Sequence, residues 1–408
     1  MIGGDSEVLW GLAMGSGKYP YQTRVSLSDL ASKCSCPSRK FPCKHALGLM
    51  FLAAGSQVAP AGERPPWVAE WLEARAERAE KAAARSEEKS TKPVDEKAAE
   101  KRRLQREGRV AEGVALLQQT LLDMAREGLA SGPARSASAW DGLAKRMVDC
   151  QAPGLAGVLR HIADTVLPDP DVDSELPYEL GRLHLLLHAL AGPPSDDENT
   201  RAELLSWVGG KSGADQVSNG ELQDDDWFVA GRRVEERDRL ITSTTWLLGG
   251  KSLRWAKLLR FAPVPQSIVE PWALGARVRA VLRFHPGLLP QRATVENEGM
   301  PEIARTPVVS ETHLDALLDR HSSALASNPF LRTVPFLIPL HPSADGTLLV
   351  DESGRALPWK APADAAMRVE CVCGGRPTPL CGEWDGRFLR PLSLLDGGFW
   401  FSLVPKLT

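Results

Sequence analysis

The chain is 408 residues long, 43% apolar and 25% charged, with a formal net charge of −3. That length exceeds one ordinary core and predicts two or three domains. The charge balance excludes a general field that would draw the protein to nucleic acid or a membrane, and no apolar run is long enough to span a bilayer.

Residues 1–58 form the first predicted module. Two strand-like runs, Tyr21–Ser26 and the stretch ending at Cys36, come first. Pro37 and Pro42 mark a loop, and from Cys43 the pattern turns helical, with Leu47, Leu49, Met50 and Leu52 on an apolar side and Gly55 as a stop. Residues 59–109 read as a charged helix or linker. Pro65 and Pro66 precede a helix start at Trp67, and Trp67, Val68, Trp71 and Leu72 are placed to dock. Arg75–Arg103 has almost no large apolar residue and reads as a solvated spacer.

Residues 110–215 read as helical throughout. Apolar stripes recur at Val114, Leu117, Leu121, Leu122 and Ala125, then at Trp140, Leu143, Ala144, Met147 and Val148. After Pro153 they resume at Leu155, Val158, Leu159 and Ile162, then at Leu183, Leu186, Leu187 and Leu190, and last at Leu204, Leu205 and Val208. Such stripes bury themselves against one another, as in a bundle or a helical-repeat array. Residues 220–408 change character. β-formers alternate in Leu240–Leu248, Arg254–Phe261 and Ala276–Phe284, with Gly249-Gly250 as a hairpin turn. One helical insert is expected at Glu311–Ala326. Further strands are expected at Thr333–Leu340, Thr347–Val350, Arg368–Cys373, Arg387–Leu392 and Phe399–Leu403. The predicted class is α+β multidomain: an N-terminal ββα module, a central helical domain and a C-terminal, mainly antiparallel β domain.

Seven cysteines fall in two tight groups plus Cys150. That pattern fits metal ligation in a reducing compartment better than a disulfide framework. With no basic and apolar signal region at the start, the expected location is the cytoplasm. The first group is Cys34-Ser-Cys36-Pro-Ser-Arg-Lys-Phe-Pro-Cys43-Lys-His45. Three thiols and one imidazole form a tetrahedral zinc set, with Zn–S near ~2.3 Å and Zn–N near ~2.0 Å. Four protein ligands leave no position for water or substrate, which makes the expected Zn2+ site structural. A module so small gains much of its folding free energy from the metal.

Cys-x-Cys followed by Cys-x-His, here Cys34, Cys36, Cys43 and His45, resembles the SWIM zinc finger. Pro20-Tyr21 before the motif and Ala46-Leu47-Gly48-Leu49 after it are similar to bacterial SWIM proteins. Arg146–Leu155, Gly382–Gly386 and Arg390–Ser393 resemble later parts of those proteins. The resemblance implies an adaptor working beside a MoxR-type AAA+ ATPase or a von Willebrand A domain protein. It also implies a longer upstream part, hence a truncated start and a missing preceding strand.

Lys33, Arg39, Lys40 and Lys44 crowd the ligands, with Lys18 and Arg24 upstream. They form a candidate DNA- or RNA-binding patch, with Phe41 as a stacking face. The plainer reading is that they balance the net charge of about −1 on a Cys3His zinc centre. Cys371, Cys373 and Cys381 are a second group, with Asp385 or His341 as a further ligand, but read better as small buried residues. His184 and His188 share a helix face without the glutamate of zinc proteases. Gly210–Ser212 and Gly250–Ser252 lack the earlier glycine of a phosphate loop. Asp224–Asp226 reads as a solvated loop, and Gly382–Gly386 as a hairpin turn anchored by Trp384. The favoured function is a non-enzymatic adaptor that binds a protein partner through the finger, with no membrane association. Nucleic-acid binding is the alternative. An enzyme site in the β domain would need polar groups converging on His285 or His341.

Overall fold

The structure is a computed structural model. It describes residues 2–14, 19–27, 31–38, 42–55, 57–58, 63–77, 96–209, 220–237, 239–264, 266, 268–303 and 311–404. The chain divides into two compact units, Met1–Ala99 and Glu100–Thr408. No helix among the described residues is long and apolar enough to cross a membrane.

In the first unit, β1 (Ile2–Gly4), β2 (Val8–Ala13), β3 (Tyr21–Ser26) and β4 (Ser32–Cys34) form an antiparallel sheet in sequence order. Helix α1 (Lys44–Ala54) lies on one face, and a helix over 66–77, α2, lies on the other. The two-residue period of a strand decides which side chain meets which helix. Leu9 and Val25 are cross-strand partners and pack with Ala46 and Leu49 of α1. Val8 and Trp10 point the other way and meet Trp67, Val68, Trp71 and Leu72, the docking residues foreseen in the sequence. Arg24, opposite Trp10 in the register, lays its guanidinium over Trp67 at 5.2 Å and Trp71 at 5.9 Å. Two strands, β1 and β2, precede the predicted pair. Most of the expected spacer Arg75–Arg103 lies outside the described residues.

The second unit begins with helices α3 (Glu96–Glu127), α4 (Ala137–Asp149), α5 (Pro153–His161), α6 (Val172–Ala191) and α7 (Glu198–Val208). Helix α5 runs on into a single π turn, Ile162–Val166. The predicted stripes are their shared core. Leu117, Trp140, Met147, Leu155, Leu159 and Ile162 are fully buried, whereas Leu122, Val148 and Leu205 face solvent. Ser136 caps α4 and Asp197 caps α7, each accepting a first-turn amide. The start of α5 crosses the end of α7 at glycine contact. A Cβ on Gly154 would stand 2.2 Å from the Trp207 carbonyl oxygen and 2.7 Å from the Gly209 amide nitrogen.

Five strands then close a barrel: β5 (Leu222–Arg237), β6 (Leu240–Gly249), β7 (Trp255–Pro263), β8 (Ala276–Phe284) and β9 (Arg292–Glu298). Their order is β8-β5-β6-β7-β9, and β9 returns to pair with β8. All these contacts are antiparallel except β7–β9. The long β5 pairs with β8 through its first half and β6 through its second, changing register between Val229 and Gly231. Short β10 (Glu302–Ile303) adds to the start of β8. A second sheet follows, in the order β13-β12-β11-β14-β15-β16. It comprises β11 (Val334–Pro342), β12 (Leu348–Val350), β13 (Ala356–Pro358), β14 (Thr378–Trp384), β15 (Leu389–Asp396) and β16 (Phe399–Ser402). Helices α8 (Leu314–Ser327) and α9 (Ala363–Cys373) pack on it.

Three expectations are corrected. The strand at Arg368–Cys373 is helix α9, whose buried residues Ala365, Val369 and Cys373 repeat every four positions. The insert Glu311–Ala326 is therefore one of two helices. Asp224–Asp226 is no solvated loop but part of β5, and Asp225 is 0% exposed. Its carboxylate accepts from Lys251 N at 3.1 Å, Ser252 N at 2.9 Å and Ser252 Oγ at 2.6 Å. That network fixes the β6–β7 turn, which is what Gly250–Ser252 builds; Gly210–Ser212 lies outside the described residues.

The glycine crossing sets a stability expectation. Gly154→Ala forces α5 and α7 apart and costs about 1–3 kcal/mol, as overpacking does. Gly157→Ala, in the same helix with nothing within 4 Å of a new Cβ, leaves stability unchanged or raises it by up to about 1 kcal/mol. Denaturant unfolding of the two variants checks the contrast.

Candidate metal centre

The four ligands come from two elements that the first unit's core presses together. Cys34 ends β4, and Cys36 follows in a bend. Ser35 ties that bend to β3 twice: its amide donates to Gln22 O at 3.1 Å, and its hydroxyl accepts from Gln22 N at 3.0 Å. Cys43 is the N-cap of α1, with extended backbone, and its carbonyl accepts from Leu47 N at 3.0 Å. His45 stands in the first turn, its ring 5.2 Å from that of Tyr21. Cys43 and Ala46 are buried with Leu9, Val25 and Leu49, and Cys34 and Cys36 pack against that cluster.

The ligand atoms of Cys34, Cys36, Cys43 and His45 all lie within 4.8 Å of one another, the one such group among the described residues. Cys34 Sγ is 3.7 Å from His45 Nδ1. A tetrahedral zinc with bonds near ~2.3 Å to sulfur and ~2.0 Å to nitrogen has an S···N edge of about 3.5 Å. The donor set therefore fits the ion in kind, number and spacing. The second cysteine group does not converge: Cys371 is exposed on α9, while Cys373 and Cys381 are buried.

Electrostatics favour thiolate at Cys36 and oppose it at Cys34. Burial by itself raises the Cys36 thiol, but the Ser38 amide, His45 and the two other thiols more than offset it, bringing it from 9.0 to about 7. Burial raises Cys34, opposed by the Thr23 hydroxyl at 3.1 Å from its sulfur. Arg24 is lowered by burial, and the Cys34 thiolate works against that, so the two charges support each other.

The tentative nucleic-acid residues divide. Lys33 and Lys44 are exposed. Lys18, Arg39, Lys40 and Phe41 lie outside the described residues, and Arg24 is stacked on two tryptophans. Elsewhere, His184 and His188 are both exposed on α6. Glu383 and Asp385 also part company. Glu383 is 1% exposed and accepts from Trp246 Nε1 and Arg233 Nη1, both at 2.8 Å. Asp385 turns the β14–β15 hairpin, accepting from Arg387 N at 2.9 Å and Phe388 N at 2.7 Å. His341 Nδ1 lies 3.0 Å from the Pro342 carbonyl. His285 does line a cleft with Glu198 and Glu203, a convergence the sequence did not reveal. Its Nε2 is buried without a hydrogen-bond partner among the described residues.

Residues 21–53 match the family model of the SWIM zinc finger. Residues 105–208 match that of the SWIM-associated four-helix bundle domain. The chain thus carries both modules, and the four clustered side chains are the finger's zinc ligands. No curated protein and no solved structure matches the chain.

Purified under reducing conditions, the protein is expected to hold one zinc per chain, and Cys43→Ala to lose it. A thiol pKa lowered in the folded state adds stability that is complete above its unfolded value of 9.0 and lost as pH falls through about 7. Zinc release to a chromogenic chelator is expected to speed up as pH falls, because protons compete with the metal for the thiolates.

Proposed function

We propose that the protein is a non-catalytic adaptor whose zinc finger docks a protein partner through the outer face of α1. Lys44, Leu47, Gly48 and Phe51 recur at helical spacing and share that face. The observation that carries the reading is Phe51, 76% exposed one turn from Leu47 at 41%, although the core side of the helix is already filled by Ala46 and Leu49. Between them a Cβ on Gly48 would meet nothing within 4 Å, which leaves room for a partner's side chain. An apolar anchor flanked by acidic groups suits this face, because Lys44 borders it. The metal holds the first turn of the same helix, so zinc and docking surface are mechanically linked. As the partner's identity, a MoxR-type ATPase or a von Willebrand A domain protein rests on family likeness alone.

Nucleic-acid binding is the lesser reading, since the described part of the basic patch offers Lys33 and Lys44 while Arg24 is engaged inside the fold. Capture from the native cell by the full chain separates the readings. The double variant Leu47→Ser, Phe51→Ser is expected to keep zinc and lose the partner, and Cys43→Ala to lose both. Equal recovery of the same proteins by wild type and the double variant would refute the docking face. Salt-sensitive binding of single- or double-stranded DNA, lost on Lys33→Ala and Lys44→Ala, would favour the other reading.

A further inference from the structure

A cleft of about 330 Å³ opens in the second unit where three parts of the fold meet. Helix α7 forms one wall, β7 and the β8–β9 loop another, and residues 328–333 the third. Junctions of this kind are where small-molecule sites concentrate. Lys257 stands on the outer side of β7, in register with Trp246, its Nζ 5.6 Å from that ring. Among the described residues its ammonium has no hydrogen-bonded or ion-paired carboxylate, although Glu383 and Glu203 act on it through space. Arg292, at the rim, is likewise without an acceptor. His285 forms part of the same wall, its buried Nε2 unpartnered. Of the other charges, Arg332 is paired, Glu203 meets only a neutral indole N–H, and Glu198 lies outside. Arg332 donates to Glu179 at 3.2 Å and stacks over Trp207 at 5.7 Å. Glu203 accepts from Trp207 Nε1 at 3.0 Å, and Glu198 is exposed at the mouth.

We infer that this cleft binds a small oxyanion, a phosphate- or carboxylate-bearing molecule up to about the size of a mononucleotide, held by Lys257 and Arg292 beside the Trp207 ring. A cation withdrawn from water without a hydrogen-bonded counter-charge is costly, and an anion entering the cleft lowers that cost. Burial lowers Lys257 and Arg292 from their ordinary values, and lowers His285 to about 4 with help from Arg292. Burial is the largest cause of all three shifts, and His285 is neutral near pH 7, so the charge offered to an anion is that of Lys257 and Arg292. An occupant also touches the helical bundle, the barrel and the second sheet at once, so binding stabilises their junction.

The test uses the full zinc-loaded chain, thermal melting and titration calorimetry. The probes are inorganic phosphate, adenosine monophosphate and citrate, with adenosine as the neutral control and chloride at matched ionic strength. At least one oxyanion is expected to raise the melting temperature by about 3–6 °C at a hundredfold excess over Kd. A response to phosphate and adenosine monophosphate but not citrate assigns phosphate; the reverse assigns carboxylate. Lys257→Met and Arg292→Met are each expected to weaken binding at least tenfold. Lys257→Met, by removing a withdrawn cation, should melt no lower than wild type without ligand. Arg292→Met, at an exposed position, keeps the test alive if the first variant fails to fold. No shift beyond chloride with any probe, adenosine matching adenosine monophosphate, or unchanged affinity in Arg292→Met would overturn the site.

Discussion

Four side chains from two ends of a loop have to meet at one ion, and the first unit is organised around that requirement. Cys34 and Cys36 arrive on a strand end that Ser35 ties to β3, while Cys43 and His45 arrive on the start of α1. The apolar cluster beneath them is small: Leu9, Val25, Cys43, Ala46 and Leu49 are its buried members. So little buried area cannot by itself offset the conformational entropy of the loop and helix, and the metal supplies the difference. The same bond network fixes the direction of α1, and with it the outward face carrying Leu47 and Phe51. On the opposite side of the sheet, Arg24 joins the centre to α2. It feels the Cys34 thiolate while lying over Trp67 and Trp71. A residue that reads as part of a surface patch is in fact the link between the metal charge and the second packing layer.

The second unit relies on a different economy, in which one strand serves two cores. Trp227 and Val229 of β5 face the barrel interior, while Phe228 and Ala230 face the second sheet through Leu337, Cys381 and Leu392. Polar groups at that seam are paired rather than omitted. Glu383 is held by Trp246 and Arg233, and the Ser393 hydroxyl donates to the Ala230 carbonyl at 2.5 Å. Lys257 sits beside this seam and feels Glu383 through space, but among the described residues it has no hydrogen-bonded carboxylate.

These arrangements also explain which parts were legible from residues alone. The zinc site was readable because ligand type and spacing are local, and the helical stripes because each helix buries one face. Strands β6, β7 and β8 were readable by alternation or β-former content. Strand β5 was not, because both its faces are buried and Trp227-Phe228-Val229-Ala230 shows no alternation. Its acidic start misled for a related reason: Asp225 is buried by partners some 26 residues away, which no window along the chain reveals. The stretch ending at Cys373 was misread because a short run with buried residues four apart is easily taken for a strand. The cleft at Lys257, Arg292 and His285 was invisible in advance, since its walls come from separate stretches scattered between Glu198 and Thr333.

The central claim, that three sulfurs and one nitrogen share a single zinc, is tested most directly by X-ray absorption at the zinc edge. The account requires a first shell of three sulfurs near ~2.3 Å and one nitrogen near ~2.0 Å, with no further light atom. A shell dominated by oxygen or nitrogen, or one with fewer than three sulfurs, would contradict it.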